Sequence, residues 1–327
     1  MLKREAKEHA QTLEALGIQH MSGLQGTVRR LGRQIRRDKH LLFLFVIPVL
    51  YYAIFHYAPI YGVLMGFTHF RFAHGILGSE WAGLYYFEQF FRDPYAFRLI
   101  RNTLLLNFYQ LLFAFPAPIV LALLLNEVRN DPFKRVVQTV SYLPYFVSVV
   151  VVAGLIVNFL AHQGPVNDIL AAIGMRRIPF MMRPEWYRFI HVSSDVWQTA
   201  GFGSIIFLAA LTAIDPQLYE AATVDGASRW RKMLSITLPG IAPTVTIMLI
   251  LNIGNFMTVG FQKILLLYSG ATYETADVIQ TYVYRRGLLH AEFSYATAVG
   301  VFQGLAALML ITIANYTARR ISETSLW

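Results

Sequence analysis

Six runs of mostly apolar residues, each long enough to cross a bilayer as a helix, dominate this 327-residue chain. They lie at 41–67, 101–126, 136–161, 188–213, 240–262 and 294–317. A span needs about 20 such residues at the helical rise. In hydrocarbon every backbone N–H and C=O must find its partner inside the protein, so runs of this kind fold as helices. A soluble domain of this size would have too little interior to hide them. Some 56% of the residues are hydrophobic and 14% charged, against roughly 25% charged in a globular domain. The expected fold is an all-α integral membrane protein with six transmembrane helices. Pro48 and Pro59 in the first run predict a kink or an early exit. The fifth run extends in character through Leu267. Residues 68–100 are aromatic-rich but interrupted by charge, which predicts an extracytoplasmic loop with an interfacial helix.

Lys and Arg near the span ends set direction. Residues 1–40 hold nine, the loops 127–135 and 214–239 three each, and the tail after 317 two, which makes 17 on one side. The other side holds 11, among them Arg98, Arg176, Arg177, Arg183, Arg188, Lys263, Arg285 and Arg286. The excess predicts cytoplasmic termini and a cytoplasmic 214–239 loop. The formal charge of +9 clusters beside apolar runs, which fits an anionic leaflet rather than nucleic acid. Four regions follow: a basic cytoplasmic tail over 1–40, the first helix and its outer loop over 41–100, a core over 101–317, and a short tail over 318–327. In the first tail Leu24, Val28, Leu31 and Ile35 fall at helical spacing, so a membrane-surface helix and a solvated leader both fit. No short apolar core precedes a small-residue cleavage site there, so no cleaved signal is expected. The absence of cysteine excludes disulfides, thiolate metal sites and cysteine nucleophiles.

The loop 214–239 is polar, yet its letters spell ordered structure. Asp215-Pro216 is a helix start: Asp caps free amides and Pro suits the first helical position. Gln217 to Val224 then runs as two turns. Asp225-Gly226 is a turn signal, with Gly able to take positive φ. Ser228 or Asp225 caps a second short helix, on which Trp230, Met233 and Leu234 share a face ringed by Arg229, Arg231 and Lys232. Pro239 opens the next span. Two readings of this helical hairpin fit its composition: an amphipathic loop on the lipid surface, or a docking element for a groove on a soluble partner.

Glu220, Ala221, Ala222, Gly226, Ile236, Leu238 and Pro239, with Asp225 and Ala227, resemble in identity and spacing the coupling-helix signature of binding-protein-dependent ABC importer permeases. Pro59-Ile-Tyr-Gly62, Tyr142-Leu-Pro-Tyr-Phe-Val-Ser148, Asp277-Val-Ile-Gln-Thr-Tyr-Val-Tyr-Arg285 and Leu326-Trp327 are similar to the polysaccharide and oligosaccharide, LplB-like, branch of that family. The resemblance implies a type I importer permease fold and a loop seated in a cleft of a cytoplasmic ATPase subunit. It further implies two permease subunits, here non-identical, two ATPase subunits that carry ATP and Mg, and an extracytoplasmic solute-binding protein. Glu220 and Gly226 would carry docking polarity and the turn; Trp230, Met233 and Leu234 would carry apolar contact.

The residues also say where the energy does not come from. No Gly-Lys dipeptide occurs, so the phosphate loop with its Lys is missing. Secondary transporters place carboxylates inside spans. Here Asp195 alone lies well inside one, and Ser193-Ser194-Asp195 reads as a cap or break near the outer end of the fourth span. The nine histidines are scattered without metal-ligand spacing. Gly201-Phe-Gly203-Ser204 lacks the spacing of a nucleophile elbow. The chain is expected to be a transport subunit, with no catalytic residue, no metal and no cofactor of its own. An ion-coupled carrier, or the same architecture serving a non-sugar solute, is the alternative.

Polar groups in spans face the bundle interior. Asn107, Tyr109, Gln110, Trp197, Gln198, Asn252, Asn255 and Gln303 are candidates for a carbohydrate path, with interhelical hydrogen bonding as the simpler role for each. The outer Arg176, Arg177, Arg183, Arg285 and Arg286 would attract an acidic oligosaccharide of alginate or pectin type; solvated loops or contacts to a binding protein are the preferred reading of them. Gly201, Gly203, Ala209 and Ala210 give the fourth span a small-residue face, for sliding against a partner permease or for static packing.

Overall fold

The computed structural model describes residues 39–258 and 260–321. The tail over 1–38, with its helical spacing, and Leu326-Trp327 lie outside the described residues. The chain forms two compact units, 1–62 and 63–327.

Four single helices have the length and apolarity of a span: Phe43–Phe67, Ala96–Glu127, Arg229–Gly254 and Phe293–Thr317. Two bent pairs do so together: Asp131–Phe146 with Val149–Phe159, and Pro184–Thr212 with Pro216–Val224. Counting each pair once gives six, in the order the apolar runs predict.

The first span begins as α1 (Lys39–Tyr52), with Pro48 inside it, and continues as a π turn (Ala53–Tyr57) and a 3-10 stretch (Ala58–Phe67). Two further π turns have the same setting. Gln110–Ala114 lies between α3 (Ala96–Tyr109) and α4 (Pro116–Glu127). Met233–Thr237 follows α10 (Arg229–Lys232) and precedes α11 (Leu238–Gly254). Each of the three ends two residues before a proline: Pro59, Pro116 and Pro239. A proline ring collides with the carbonyl four residues back and brings no N–H. One extra residue in the preceding turn relieves the collision without ending the helix. Pro59 therefore bends the hydrogen-bond pattern rather than forcing an exit.

Residues 68–100 hold more than the expected helix. Thr68–Arg71 (β1) and Gly75–Trp81 (β2) pair antiparallel, with Thr68 opposite Trp81 and His69 opposite Glu80. Helix α2 (Tyr85–Arg92) then buries Phe90 and exposes Tyr85 and Phe91. The hairpin is a small β departure from an otherwise helical chain.

The third run is not a straight span. Helix α5 (Asp131–Tyr142) passes through Leu143–Phe146 and turns by 100° before α6 (Val149–Phe159). Pro144 and the Ser148 cap, whose hydroxyl accepts from the N–H of Val151 at 3.4 Å, make the corner. A short helix α7 (Pro165–Ala172) leads to α8 (Pro184–Thr212), the 29-residue fourth span.

Helix α8 threads the main unit. Near its start Tyr187 packs with Leu106, Ala153, Ile264, Leu267 and Val278. Near its end Phe207 and Leu211 pack with Ala122 and Ile241. A third cluster gathers Phe90, Leu99, Met257, Ile279, Tyr282 and Tyr295. A Cβ on Gly201 would stand 1.9 Å from the Ser141 carbonyl oxygen, and one on Gly203 would stand 3.2 Å from Pro118. These two glycines therefore pack within the chain, not against a second permease; Ala209 and Ala210 are exposed and half-buried.

Candidate functional site

The loop comes first. Asp215 accepts from the N–H of Gln217 at 2.9 Å, and α9 (Pro216–Val224) leaves the end of α8 at 69°. Gly226 has φ of +73°, as its place after the helix predicts. Ser228 accepts from the N–H of Arg231 at 3.3 Å and starts α10. The expected hairpin of two short helices is not what forms. From Arg229 the helix runs unbroken to Gly254, so the second arm is the first part of the fifth span. Pro239 does not open that span; the π turn before it lets the helix pass through. The fifth helix also ends earlier than expected, and 261–267 form a separate helix, α12 (Phe261–Leu267).

Glu220, Ala221, Asp225 and Gly226 are exposed, and Ala222 and Ala227 half-buried. Trp230 and Leu234 are exposed, while Met233, at the start of the π turn, is half-buried. The arms are tied: Lys232 Nζ donates to Thr223 Oγ1 at 2.7 Å, and the hydroxyls of Tyr219 and Thr237 lie 3.0 Å apart. At the root, Ile214 packs so closely on Gly240 that a Cβ there would meet its side chain at 2.7 Å. The loop is tied to the spans and bare on its outside.

The second feature is a polar centre inside the helices. Lys263 on α12 is only 4% exposed, and its Nζ donates to Asp195 Oδ1 at 2.8 Å. Gln110, in the π turn before Pro116, donates from Nε2 to Asp195 Oδ2 at 2.6 Å and lies 3.1 Å from His191 Nε2. Asp195 is thus neither cap nor break: it sits eleven residues into α8 with both oxygens engaged. Lys263 is no outer-loop lysine either. A buried ammonium is tolerated only when paired, and the carboxylate that pairs it is 68 positions away. Sequence spacing cannot find this pair; a lone acid and a lone lysine inside or beside apolar runs are its only signal.

Asp195, Gln110, Asn107, Thr199 and Asn252 line one 330 Å³ cavity with Phe115, Phe207 and Phe256. Three of the eight candidate path residues therefore converge. The other five do not. Tyr109 lines a separate cavity with Arg188, and Trp197 an apolar groove. Gln198 donates to Val147 O at 3.3 Å. Asn255 donates to Leu251 O at 3.2 Å, one helical turn back. Gln303 is buried and donates to Met257 O. These last three serve helix contacts.

At the end of α8 away from the loop, several arginines meet carboxylates. Arg285 holds fully buried Asp277 with two hydrogen bonds of 2.7 and 3.2 Å, and Arg98 stands 3.9 Å from it. Asp277 also accepts from Thr281 at 2.8 Å. The Asp277-to-Arg285 motif is thus a ladder at helical spacing along α13 (Ile279–Tyr284). Arg177 pairs with Asp168 and Arg286 with Glu292, both at 2.7 Å. An arginine already paired is a poor anion site; Arg101, Arg176, Arg183 and Arg188 reach no carboxylate within 4 Å among the described residues.

Comparison with known proteins matches this architecture. Residues 114–324 fit the family of binding-protein-dependent transport system inner membrane components. Protein LplB of Bacillus subtilis (strain 168) is 43% identical over 90% of this chain and 92% of its own. The polygalacturonan/rhamnogalacturonan transport system permease protein YteP of the same organism is 41% identical over 91% and 94%. A crystal structure of a bacterial ABC transporter involved in the import of the acidic polysaccharide alginate contains a chain 44% identical. It superposes with a TM-score of 0.84 over 90% of this chain and 99% of that one. A second, of a bacterial alginate ABC transporter in complex with an alginate pentasaccharide-bound periplasmic protein, gives 44% and 0.85 over 91% and 100%. Residues 114–324 contain the bare loop, both helices it joins, and Asp195, Thr199 and Asn252 of the polar cavity: the chain belongs to the binding-protein-dependent transport system inner membrane components, as a transport subunit of an ABC importer rather than an enzyme.

Proposed function

We propose that this chain is one of two non-identical permease subunits that import an oligo- or polysaccharide, uronate chains included, by alternating access. Two separate ATPase subunits bind ATP and Mg, and each grips one permease at a loop like Pro216–Val224. Closing of the ATPase pair draws the loops together and opens the far side to a docked solute-binding protein. Their separation releases substrate inward. Both termini and the loop face the cytoplasm.

The observation that carries this reading is mechanical. The exposed helix α9 hangs from the fourth span, and its second arm is the fifth span itself. A push on Glu220 reaches the fourth span through the Asp215 corner and the fifth through the Gly226 turn, with the arms tied by Lys232–Thr223 and Tyr219–Thr237. The names of the relatives, which carry polygalacturonan, rhamnogalacturonan and alginate, support the substrate class. Asn107, Gln110 and Asn252 are the path residues, since their cavity lies along the moved helices.

Glu220→Lys and Gly226→Pro test the loop. Proline cannot adopt the φ that Gly226 holds. Each variant is expected to stay in the membrane, to lose transport, and to weaken ATPase co-purification by roughly 30-fold, the scale of a lost interface hot spot. Normal co-purification together with normal uptake would refute the docking role.

A further inference from the structure

Arg71, Arg101, Arg176 and Arg183, like Arg188, reach no carboxylate within 4 Å among the described residues; Arg188 is set apart by the cavity it lines. Arg188 lies on α8, one turn from its start. Its one hydrogen bond among the described residues runs from Nη2 to Asn102 Oδ1 at 3.0 Å. Its Nε is buried without a partner. No carboxylate among the described residues lies within 4 Å of it, whereas Arg98, Arg177, Arg285 and Arg286 all reach one. Glu185 lines the same cavity but stays beyond that distance. Arg101 is near, its Nη2 3.5 Å from Glu274 O, and adds positive charge.

The seat of Arg188 is built. Asn102 is fully buried and donates from Nδ2 to Glu274 O at 2.9 Å and Asp277 O at 3.0 Å. Its remaining oxygen then points the guanidinium. The amide orients the charge without pairing it; the Glu274 carboxylate acts on it only from beyond ion-pair distance. Beside it opens a 530 Å³ cavity walled by Tyr109, Phe113 and Phe189, in the size range of ligand sites that pair apolar walls with a few placed polar groups. A planar guanidinium fork matches a carboxylate, and aromatic walls match the apolar faces of sugar rings.

We infer that Arg188, held by Asn102 and flanked by Tyr109, forms the subsite that takes the carboxylate of a uronate unit as it passes this subunit. The inference rests on the oligosaccharide-importer reading above and adds which residue tells an acidic sugar from a neutral one. The cavity around Asp195 is its counterpart: there the one carboxylate is already satisfied by Lys263, so it serves hydroxyls rather than anions.

The test uses the complex that co-purifies with this chain, with digalacturonate and its dimethyl ester as probes. Equilibrium binding to the solubilised complex without the binding protein reads the subsite. ATP-driven uptake by proteoliposomes reads the carrier. Arg188→Gln is expected to weaken digalacturonate binding roughly 10- to 100-fold, the span of one charge-assisted hydrogen bond. It should leave ester binding within about twofold, and Arg188→Lys should restore part of the loss. Equal losses for acid and ester would make Arg188 structural and overturn the subsite, as would no loss for either. A variant that sheds bound phosphatidylglycerol while keeping digalacturonate would assign the guanidinium to a lipid phosphate instead. Wild-type complex that imports neither probe nor any other uronate oligosaccharide would sink the carrier reading itself; uptake with unchanged Arg188→Gln binding would sink the subsite alone.

Discussion

Around Glu220 the polar side chains find partners close in sequence: Asp215 with Gln217, Ser228 with Arg231, Thr223 with Lys232. Around Asp195 the partners come from positions 85 and 68 residues away, Gln110 and Lys263. The loop is exposed, whereas Lys263 of the polar centre is enclosed and Asp195 is a quarter exposed to the cavity. An exposed part must hold its own shape before a partner arrives, so it is built from caps and turns. An enclosed polar group has no water to fall back on, so its partners must be supplied by whichever helices the fold brings near. The two regions should therefore fail differently.

The largest failure belongs to the polar centre. Asp195→Leu leaves the Lys263 ammonium enclosed and unpaired, which costs about 3–5 kcal/mol. The double variant Asp195→Leu/Lys263→Met removes both charges and is expected to recover most of that loss, since an apolar pair of similar volume is often neutral in such a position. Apparent melting temperatures of the purified chain in detergent read both. Equal losses in the single and the double variant would show that the pair carries no coupling and would erase the contrast with the loop.

Two glycines sharpen the same comparison at a smaller scale. Gly201 is needed for space: its neighbour is the Ser141 backbone, which cannot swing aside. Gly201→Ala must part α8 from α5 and is expected to cost about 1–3 kcal/mol or more, as overpacking does. Gly226 has open space within 4 Å of where a Cβ would stand, but it holds positive φ. Gly226→Ala should cost only about 1–2 kcal/mol, the penalty of a left-handed residue, and should act on ATPase association more than on melting. Below it comes Ser228→Ala, worth about 1 kcal/mol as a lost cap. A Gly226→Ala melting loss larger than that of Gly201→Ala would invert the two roles.

The same difference explains what the letters reveal. Six spans are legible because hydrophobic runs report the solvent around a helix, whichever helices pack against it. The caps at Asp215 and Ser228 and the turn at Gly226 are legible because each is a contact between near neighbours. The 100° corner after Phe146 escapes, since Val147 and the valines after it continue the apolar run while the backbone turns. The continuity of Arg229 with Gly254 escapes because a proline reads as a start, and a π turn that carries a helix past it leaves no mark in composition. Asp195 stands out in the sequence but its role does not, because Lys263 is placed against it only by the fold.

The smallest expected effect emerges only in alkali. Tyr282 is buried, and its hydroxyl donates to Asp93, 189 positions away, which also accepts from Tyr295 at 3.1 Å. Burial first, and the hydrogen bond to Asp93 second, push the Tyr282 phenol from 10.0 up to about 12. A folded-state value above the unfolded one means that folding favours the protonated phenol. Its contribution is complete below pH 10 and is lost as the pH rises through about 12. Tyr282→Phe removes the titration together with one hydrogen bond, so it should lower the melting temperature slightly at neutral pH and flatten the fall above pH 10. If Tyr282→Phe kept the full alkaline slope, the outer network would hold its place without the phenol, and distant pairing there would matter no more than the local caps of the loop.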